Sequence, residues 1–224
     1  MKNFKLFLKV KIFNFKDKIF TIFNFYKNFK YFLLDSVFSF IYLFINPYRE
    51  VRIFNQKKGL SDIYTYGETP IKTIYKIAKE SNIDKKSNFL ELGSGRGNVS
   101  FFIRLIFKCK VTAIEWVDKL INISKFLNKI FYLRIIFLKK DMFEISFNNF
   151  THIYLYGTCL NEKEILKFTD KFKKESKKAK IITISYDLNF YDKDYKTTKS
   201  FDVDFAYGKT KAYINILKEH RNGE

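Results

Sequence analysis

Two cysteines and two histidines are few for a chain of 224 residues, and each scarcity removes a chemistry. Cys109 and Cys159 stand far apart, with no partner spacing. Neither a disulfide framework nor a zinc site can be argued from them, and a reducing, cytoplasmic setting is expected. With His152 and His220 alone, a His-based metal cluster and a Ser-His-Asp triad drop out, so no metal is assigned. The chemistry must run on something else, and a bound cofactor is the natural source. Acidic residues are also scarce: 23 Asp and Glu face 42 Lys and Arg, leaving a net charge of +19. That sign suits nucleic acid, an anionic membrane surface or an acidic partner. The excess is spread along the chain, however. Lys, Ile, Asn, Tyr and Phe are abundant together, the profile of an AT-rich coding sequence, so nucleic acid is an open partner rather than a required one.

Long apolar runs are missing as well. The longest, residues 31–45, reads YFLLDSVFSFIYLFI, contains Asp35 and stops before Asn46-Pro47; a spanning helix needs about 20 such residues. Before it, residues 2–30 interleave Lys2, Lys5, Lys9, Lys11, Lys16, Lys18, Lys27 and Lys30 with Phe, Ile and Leu, without Gly or Pro. This is a basic, amphipathic helical pattern. Residues 1–58 therefore form an amino-terminal extension with two readings. In one, residues 1–46 lie on an anionic membrane, lysines toward headgroups and phenylalanines in the acyl boundary, giving a cytoplasmic protein peripherally held at the membrane. In the other, the extension is a helical cap that packs its aromatic face on the rest of the protein. A cleaved signal peptide is not expected, because the apolar segment starts late and no small-residue cleavage pattern follows.

After a polar connector through Gly59, residues 59–224 read as one α/β domain. Apolar spacing at Ile71, Ile74, Tyr75 and Ala78 predicts a helix over 69–81, with Thr69 as N-cap and Pro70 at its first position. Strands are expected at 88–92, 110–115, 134–138, 151–156 and 180–185, with helices at 97–107, 117–129 and 161–175 between them. This alternation implies right-handed crossovers and a doubly wound, mainly parallel sheet. Strand-like segments at 201–205 and 211–217, split by a turn near 207–209, add a C-terminal antiparallel hairpin and bring the sheet to seven strands. No internal repeat is visible.

Glycine is sparse, yet three of the eight fall within Glu91-Leu92-Gly93-Ser94-Gly95-Arg96-Gly97-Asn98. Strand, glycine turn, helix is the geometry that lets backbone approach a nucleotide-like ligand at the carboxyl edge of a sheet. A dinucleotide fingerprint would put its third glycine where Asn98 stands. The pattern present is acid-x-G-x-G-x-G, which resembles the first motif of class I methyltransferases of Rossmann-like fold. That likeness implies that the turn wraps the methionine moiety of S-adenosylmethionine and that Glu91 orients its ammonium group. Glu115 ends the second strand, where a carboxylate can accept both ribose hydroxyls, and Trp116 beside it can stack on an adenine face. Asp141 and Met142 follow the third strand, where these enzymes commonly use an Asp for the adenine amino group and the next side chain for contact.

Upstream, Tyr64-Thr65-Tyr66-Gly67-Glu68-Thr69-Pro70 precedes a helix and then F-L-E-L-G-S-G-x-G-N. The pair is similar to the non-SET lysine methyltransferases of the disruptor-of-telomeric-silencing type, and the likeness runs over about residues 64–186. It implies a Y-G-E-T loop that closes over the methionine end of the cofactor and brings Tyr66, Glu68 and Thr69 to it. Where that family has paired asparagines after the fourth strand, this chain has Gly157-Thr158, so cofactor binding carries over better than the acceptor. A partial likeness also exists to small membrane-associated lysine methyltransferases that pair a hydrophobic amino-terminal segment with a similar core.

The expected cofactor residues are thus Tyr66, Glu68, Thr69, Glu91, Gly93, Ser94, Gly95, Gly97, Asn98, Glu115, Trp116, Asp141, Met142 and Tyr156. Tyr66, Tyr156 and Thr158 are the candidates beside the acceptor. The reading is S-adenosylmethionine-dependent methyl transfer to a nucleophile, with a protein lysine amine first. RNA or a small molecule is the alternative acceptor; the missing N-P-P-Y-type tetrapeptide after the fourth strand disfavours a nucleobase. A basic membrane-surface or nucleic-acid-binding protein that keeps the fold without turnover is the non-enzymatic alternative, and the retained Glu91, Glu115 and Asp141 speak against it.

Overall fold

The computed structural model describes residues 2–60 and 66–218, with side chains from Phe4 onward. Tyr64 and Thr65 of the upstream motif, and His220, lie outside the described residues. Three helices, α1 (Lys2–Phe25), α2 (Phe29–Phe44) and α3 (Pro47–Lys57), precede α4 (Ile71–Glu80). Then follow β1 (Asn88–Leu92), α5 (Asn98–Phe102), β2 (Lys110–Glu115), α6 (Asp118–Ile130), β3 (Ile136–Lys139), β4 (His152–Leu155), α7 (Glu162–Glu175) and β5 (Lys180–Ile184). A short α8 (Leu188–Tyr191) leads into β6 (Tyr195–Phe205) and β7 (Gly208–Leu217). The sheet has the order β3-β2-β1-β4-β5-β7-β6. β1 to β5 are parallel, and β7 lies antiparallel between β5 and β6.

The central strands are covered on both faces, which is why they read as continuous apolar runs. Phe89 and Leu90, adjacent on β1, go to opposite faces. Phe89 joins Ile74, Phe101, Phe102 and the amino-terminal Phe25, Tyr31, Leu34 and Phe38. Leu90 joins Ile153, Phe168, Phe172 and Ile181 beneath α7. One hydrophobic cluster therefore spans the extension and the α/β domain.

Several boundaries differ from expectation for physical reasons. Residues 47–57 form a helix rather than a connector: Asn46 caps it by accepting from the backbone N of Tyr48 and Arg49 at 3.0 and 3.3 Å, with Pro47 at its start. α4 has Pro70, not Thr69, at its cap position. Its free N–H groups are met from α1 instead, where the Asp17 carboxylate accepts from Ile71 N at 3.0 Å and Lys72 N at 2.9 Å. Thr69 is drawn to the core, its hydroxyl 2.6 Å from that of Tyr154. The helix expected from Gly97 starts one residue later and widens into a π-type turn over Ile103–Phe107. β6 and β7 run longer than expected, because the start of β6 is an exposed edge with polar side chains such as Lys196 and Lys199.

The charge inside the apolar run is also explained. Asp35 is buried in α2 and accepts from Lys18 Nζ at 2.5 Å and Tyr26 Oη at 2.6 Å, which clips α1 to α2. Among the described residues no single helix is long and apolar enough to cross a membrane; α2 and α3 meet that test only jointly, with a 60° bend between them.

Candidate active site

The carboxyl ends of β1, β2 and β4 open onto a cavity of about 290 Å³. The turn after β1 forms its floor. Ser94 N donates to Ile114 O at 2.8 Å, tying the turn to β2. Glu115 Oε2 accepts from Gly95 N at 2.6 Å, while its Oε1 accepts from the backbone N of Trp116 and Val117, each at 2.8 Å. One carboxylate thus fixes both the glycine turn and the start of the next loop. Burial raises the Glu115 carboxyl to about 6, against those three backbone donors.

The cavity wall brings together Glu115, Trp116, Asp141, Met142, Gly93 and Gly95 with Tyr66 and Tyr156. Trp116 stands edge-on to Phe54 of α3 with ring centroids 5.4 Å apart, and Lys58 Nζ lies 4.9 Å from its ring. Asp141 Oδ1 turns its loop by accepting from Phe143 N at 2.9 Å.

A second, small cavity of about 30 Å³ continues beyond the glycine turn. Glu68, Thr69, Glu91, Ser94, Arg96 and Asn98 border it, with Tyr66, Tyr154 and Tyr156. Glu91 is buried and accepts a short bond from Ser100 Oγ; burial lifts its carboxyl to about 8, which that bond only partly offsets. Tyr66 Oη donates to Glu68 Oε1 at 2.7 Å, and Glu68 forms an ion pair with Arg96. Gly95 has φ +53°, and a Cβ there would come within 2.9 Å of the Tyr66 ring. At Gly67 a Cβ would stand 2.7 Å from Tyr156. Glycine at both positions lets the Tyr66–Glu68 loop lie directly on the turn and against Tyr156.

Gly97 and Thr158 stand apart from both cavities. Gly97, at φ +79°, faces Ser124 and Phe137, so its lack of a side chain serves helix and strand packing. Thr158 is exposed and reaches the site only through its bond to the Tyr156 hydroxyl. Burial pushes the phenols of Tyr66 and Tyr156 well up, so both stay protonated near neutrality.

Some neighbours of the site escape motif reading. Arg96 occupies a variable position of the glycine pattern, and its guanidinium stacks on Phe38 and Tyr42 of α2, 4.9 and 4.6 Å from their centroids. Val51 and Phe54 of α3 were detectable only as an i, i+3 apolar pair. Phe205 and Tyr207, at the β6–β7 turn, stack in series with Tyr156 at 5.0 and 5.3 Å between centroids.

The fit to an amino-acid-bearing nucleoside rests on buried groups left over. Ser94 Oγ and Arg96 Nε are buried without a hydrogen-bond partner beside the small cavity, a costly state that a polar ligand relieves. Gly93 leaves open space where a side chain would stand. Carboxylates border both cavities, Glu68 and Glu91 the small one and Glu115 and Asp141 the larger.

A sheet of this strand order, opening its carboxyl edge onto such a cleft, is the frame of class I S-adenosylmethionine-dependent methyltransferases, and the chain is an enzyme of that class. Residues 49–154 match the family model described as Histone methylation protein DOT1. That match takes in the Tyr66–Thr69 loop, the glycine turn, Glu115 and Asp141, and ends just before Tyr156 and Thr158. No curated protein matches the chain.

Solved structures share the fold. An RNA methyltransferase from Salinibacter ruber, in complex with S-adenosyl-L-homocysteine, superposes with TM-score 0.56 at 19% identity, over 70% of this chain and 97% of that one. The tRNA methyltransferase TrmK of B. subtilis gives TM-score 0.52 at 12% identity, over 66% of each chain. A SAM-dependent methyltransferase from Aquifex aeolicus gives 0.51 at 19% identity, over 64% of this chain and 89% of that one.

Proposed function

We propose that the enzyme methylates a protein lysine amine. The observation that carries this reading is a third cleft, of about 570 Å³, which shares the Tyr66–Thr69 loop and Tyr156 with the cofactor cavities. Its walls come from α1, α2, the start of α3 and the β6–β7 turn, and include the rings of Tyr42, Tyr48, Phe205 and Tyr207. In a molecule of charge +19, the described residues lining the cleft include three carboxylates, Asp17, Asp35 and Glu68, against two cations, Lys18 and Arg96. Both cations are ion-paired, to Asp35 and Glu68, which leaves Asp17, the acceptor of the first α4 N–H groups, as the carboxylate in excess. Such a lining suits an incoming ammonium group better than a phosphate backbone. The DOT1 likeness favours a protein acceptor too. Histone specificity does not carry over, because the family match stops short of Gly157-Thr158.

S-adenosylmethionine supplies an activated methyl group on a sulfonium centre. The residues then have to align the acceptor nitrogen and keep water out, and orientation alone is worth about 7 to 11 kcal/mol. A lysine amine must arrive neutral, and passage between the rings of Tyr66 and Tyr156 favours the uncharged form by desolvation. Since both phenols hold their protons, they position the amine by hydrogen bonding and do not act as bases. On this reading Glu115 serves the ribose, Asp141 and Met142 the adenine, Trp116 an adenine face, and Glu91 with Glu68 the ammonium end.

A peripheral membrane role accompanies this function. Along α1, Phe4, Leu8, Ile12, Phe15, Ile19 and Ile22 are exposed and fall on one helical stripe, with Lys5, Lys9 and Lys16 on one side of it and Lys11 and Lys18 on the other. On α2, Phe29, Leu33, Val37, Phe40 and Phe44 form an exposed stripe opposite the face that enters the core. Apolar stripes edged by lysine fit the boundary of an anionic bilayer.

Radiolabelled methyl transfer into a fractionated lysate tests the acceptor. Alkali-stable label in protein, recovered as methyllysine, is expected; label confined to RNA or to small solutes would overturn it.

A further inference from the structure

Among the described residues Arg96 is the only cation bordering the small cavity at the amino-acid end of the site, where the carboxyl groups are those of Glu68 and Glu91. A methionine moiety carries an ammonium and a carboxylate, so carboxylates alone cannot hold it. The Arg96 guanidinium is held by Glu68 and lies over the adjacent Phe38 and Tyr42 rings, 4.9 and 4.6 Å from their centroids, which are themselves 4.8 Å apart. Its Nε is nonetheless a buried donor with no acceptor, and a donor of that kind is expected to find one. The backbone beneath is tied down as well, Ser124 Oγ donating to Arg96 O at 2.9 Å.

We propose that Arg96 binds the α-carboxylate of the cofactor's methionine moiety, and that α2, by backing the guanidinium with the adjacent rings of Phe38 and Tyr42, is a structural part of the cofactor site. This rests on the S-adenosylmethionine reading of the cleft. In the free protein Glu68 serves as the stand-in carboxylate. When the zwitterion enters, Arg96 takes its carboxylate and Glu68 turns toward its ammonium, so one half-buried ion pair becomes two and no charge is left unpaired. The extension then cannot be separated from cofactor binding, because a planar guanidinium on a flexible stem needs both rings to hold its fork in place.

The test uses the full chain and three ligands: S-adenosylhomocysteine, its decarboxylated analogue, which keeps the amine, and methylthioadenosine, which lacks the amino-acid group. Arg96→Met is expected to weaken S-adenosylhomocysteine by ten- to hundredfold while leaving the other two within about twofold. Tyr42→Leu is expected to show the same selectivity to a smaller degree, with thermal unfolding recorded for both variants. Equal weakening of all three ligands would overturn the proposal, since Arg96 would then only shape the turn. Failure of the unaltered chain to bind S-adenosylhomocysteine would sink the underlying cofactor reading instead, and the two failures are told apart by that control.

Discussion

Glu91 shows what burial does to a single carboxyl. In the folded chain it is held up to about 8 against an ordinary 4.5, chiefly by desolvation. Between those values the folded chain keeps a proton that the unfolded chain has released, so stability falls as pH rises through this window. The cost is absent below the unfolded value and complete above the folded one. Glu91→Gln keeps the shape and removes the charge, and is expected to raise Tm by on the order of 5 °C at pH 9 and by little at pH 5. Equal Tm gains at both pH values, measured by scanning calorimetry, would contradict this account. A carboxyl that destabilises the empty site is one held for a ligand rather than for the fold. Its place was legible because acid, turn and glycines are neighbours in sequence. Arg96 was not legible, because its meaning comes from Phe38 and Tyr42, 58 and 54 positions upstream, and no local pattern marks that encounter.

At the scale of elements, the same contrast recurs. The parallel strands and crossover helices were readable from apolar spacing, and α7 carries its own capping box from Asn161 and Glu164. α4 does not carry its start signal. Its cap is Asp17, 54 positions upstream in α1, and Thr69, the residue that looks like a cap, bonds Tyr154 instead. Local chemistry predicted a helix there correctly and assigned its start to the wrong side chain. Asp17→Ala should therefore cost about 0.5 to 2 kcal/mol, the range for a lost N-cap, and speed proteolysis within α1. A Tm unchanged by the substitution would show that α4 needs no cap from α1. The hairpin of β6 and β7 extends further than its apolar core suggests, because an edge strand is selected for polarity on its open side.

Over the whole molecule, the two readings of the extension prove compatible. The inner faces of α1 and α2 enter the core through Phe25, Tyr31, Leu34 and Phe38, while their outer stripes remain exposed, Phe4 at 69% and Phe44 at 77%. A helix apolar on two faces reads in sequence simply as apolar, and only the fold tells which face is taken. Serine at Phe4, Leu8, Ile12 and Phe15 leaves the core untouched and is expected to abolish flotation with phosphatidylserine vesicles. Binding by the unaltered chain should weaken in high salt, as screening requires. Flotation equal in both proteins would refute a membrane face on α1.

The central claim is that the cleft over β1, β2 and β4 receives an adenosyl amino acid. The chain has one tryptophan, and Trp116 lines that cleft beside Glu115. Titrating S-adenosylhomocysteine while recording tryptophan fluorescence reads the site itself. The account predicts a saturable, one-to-one change in the micromolar range that disappears in Glu115→Ala; emission that does not respond up to millimolar ligand would contradict it.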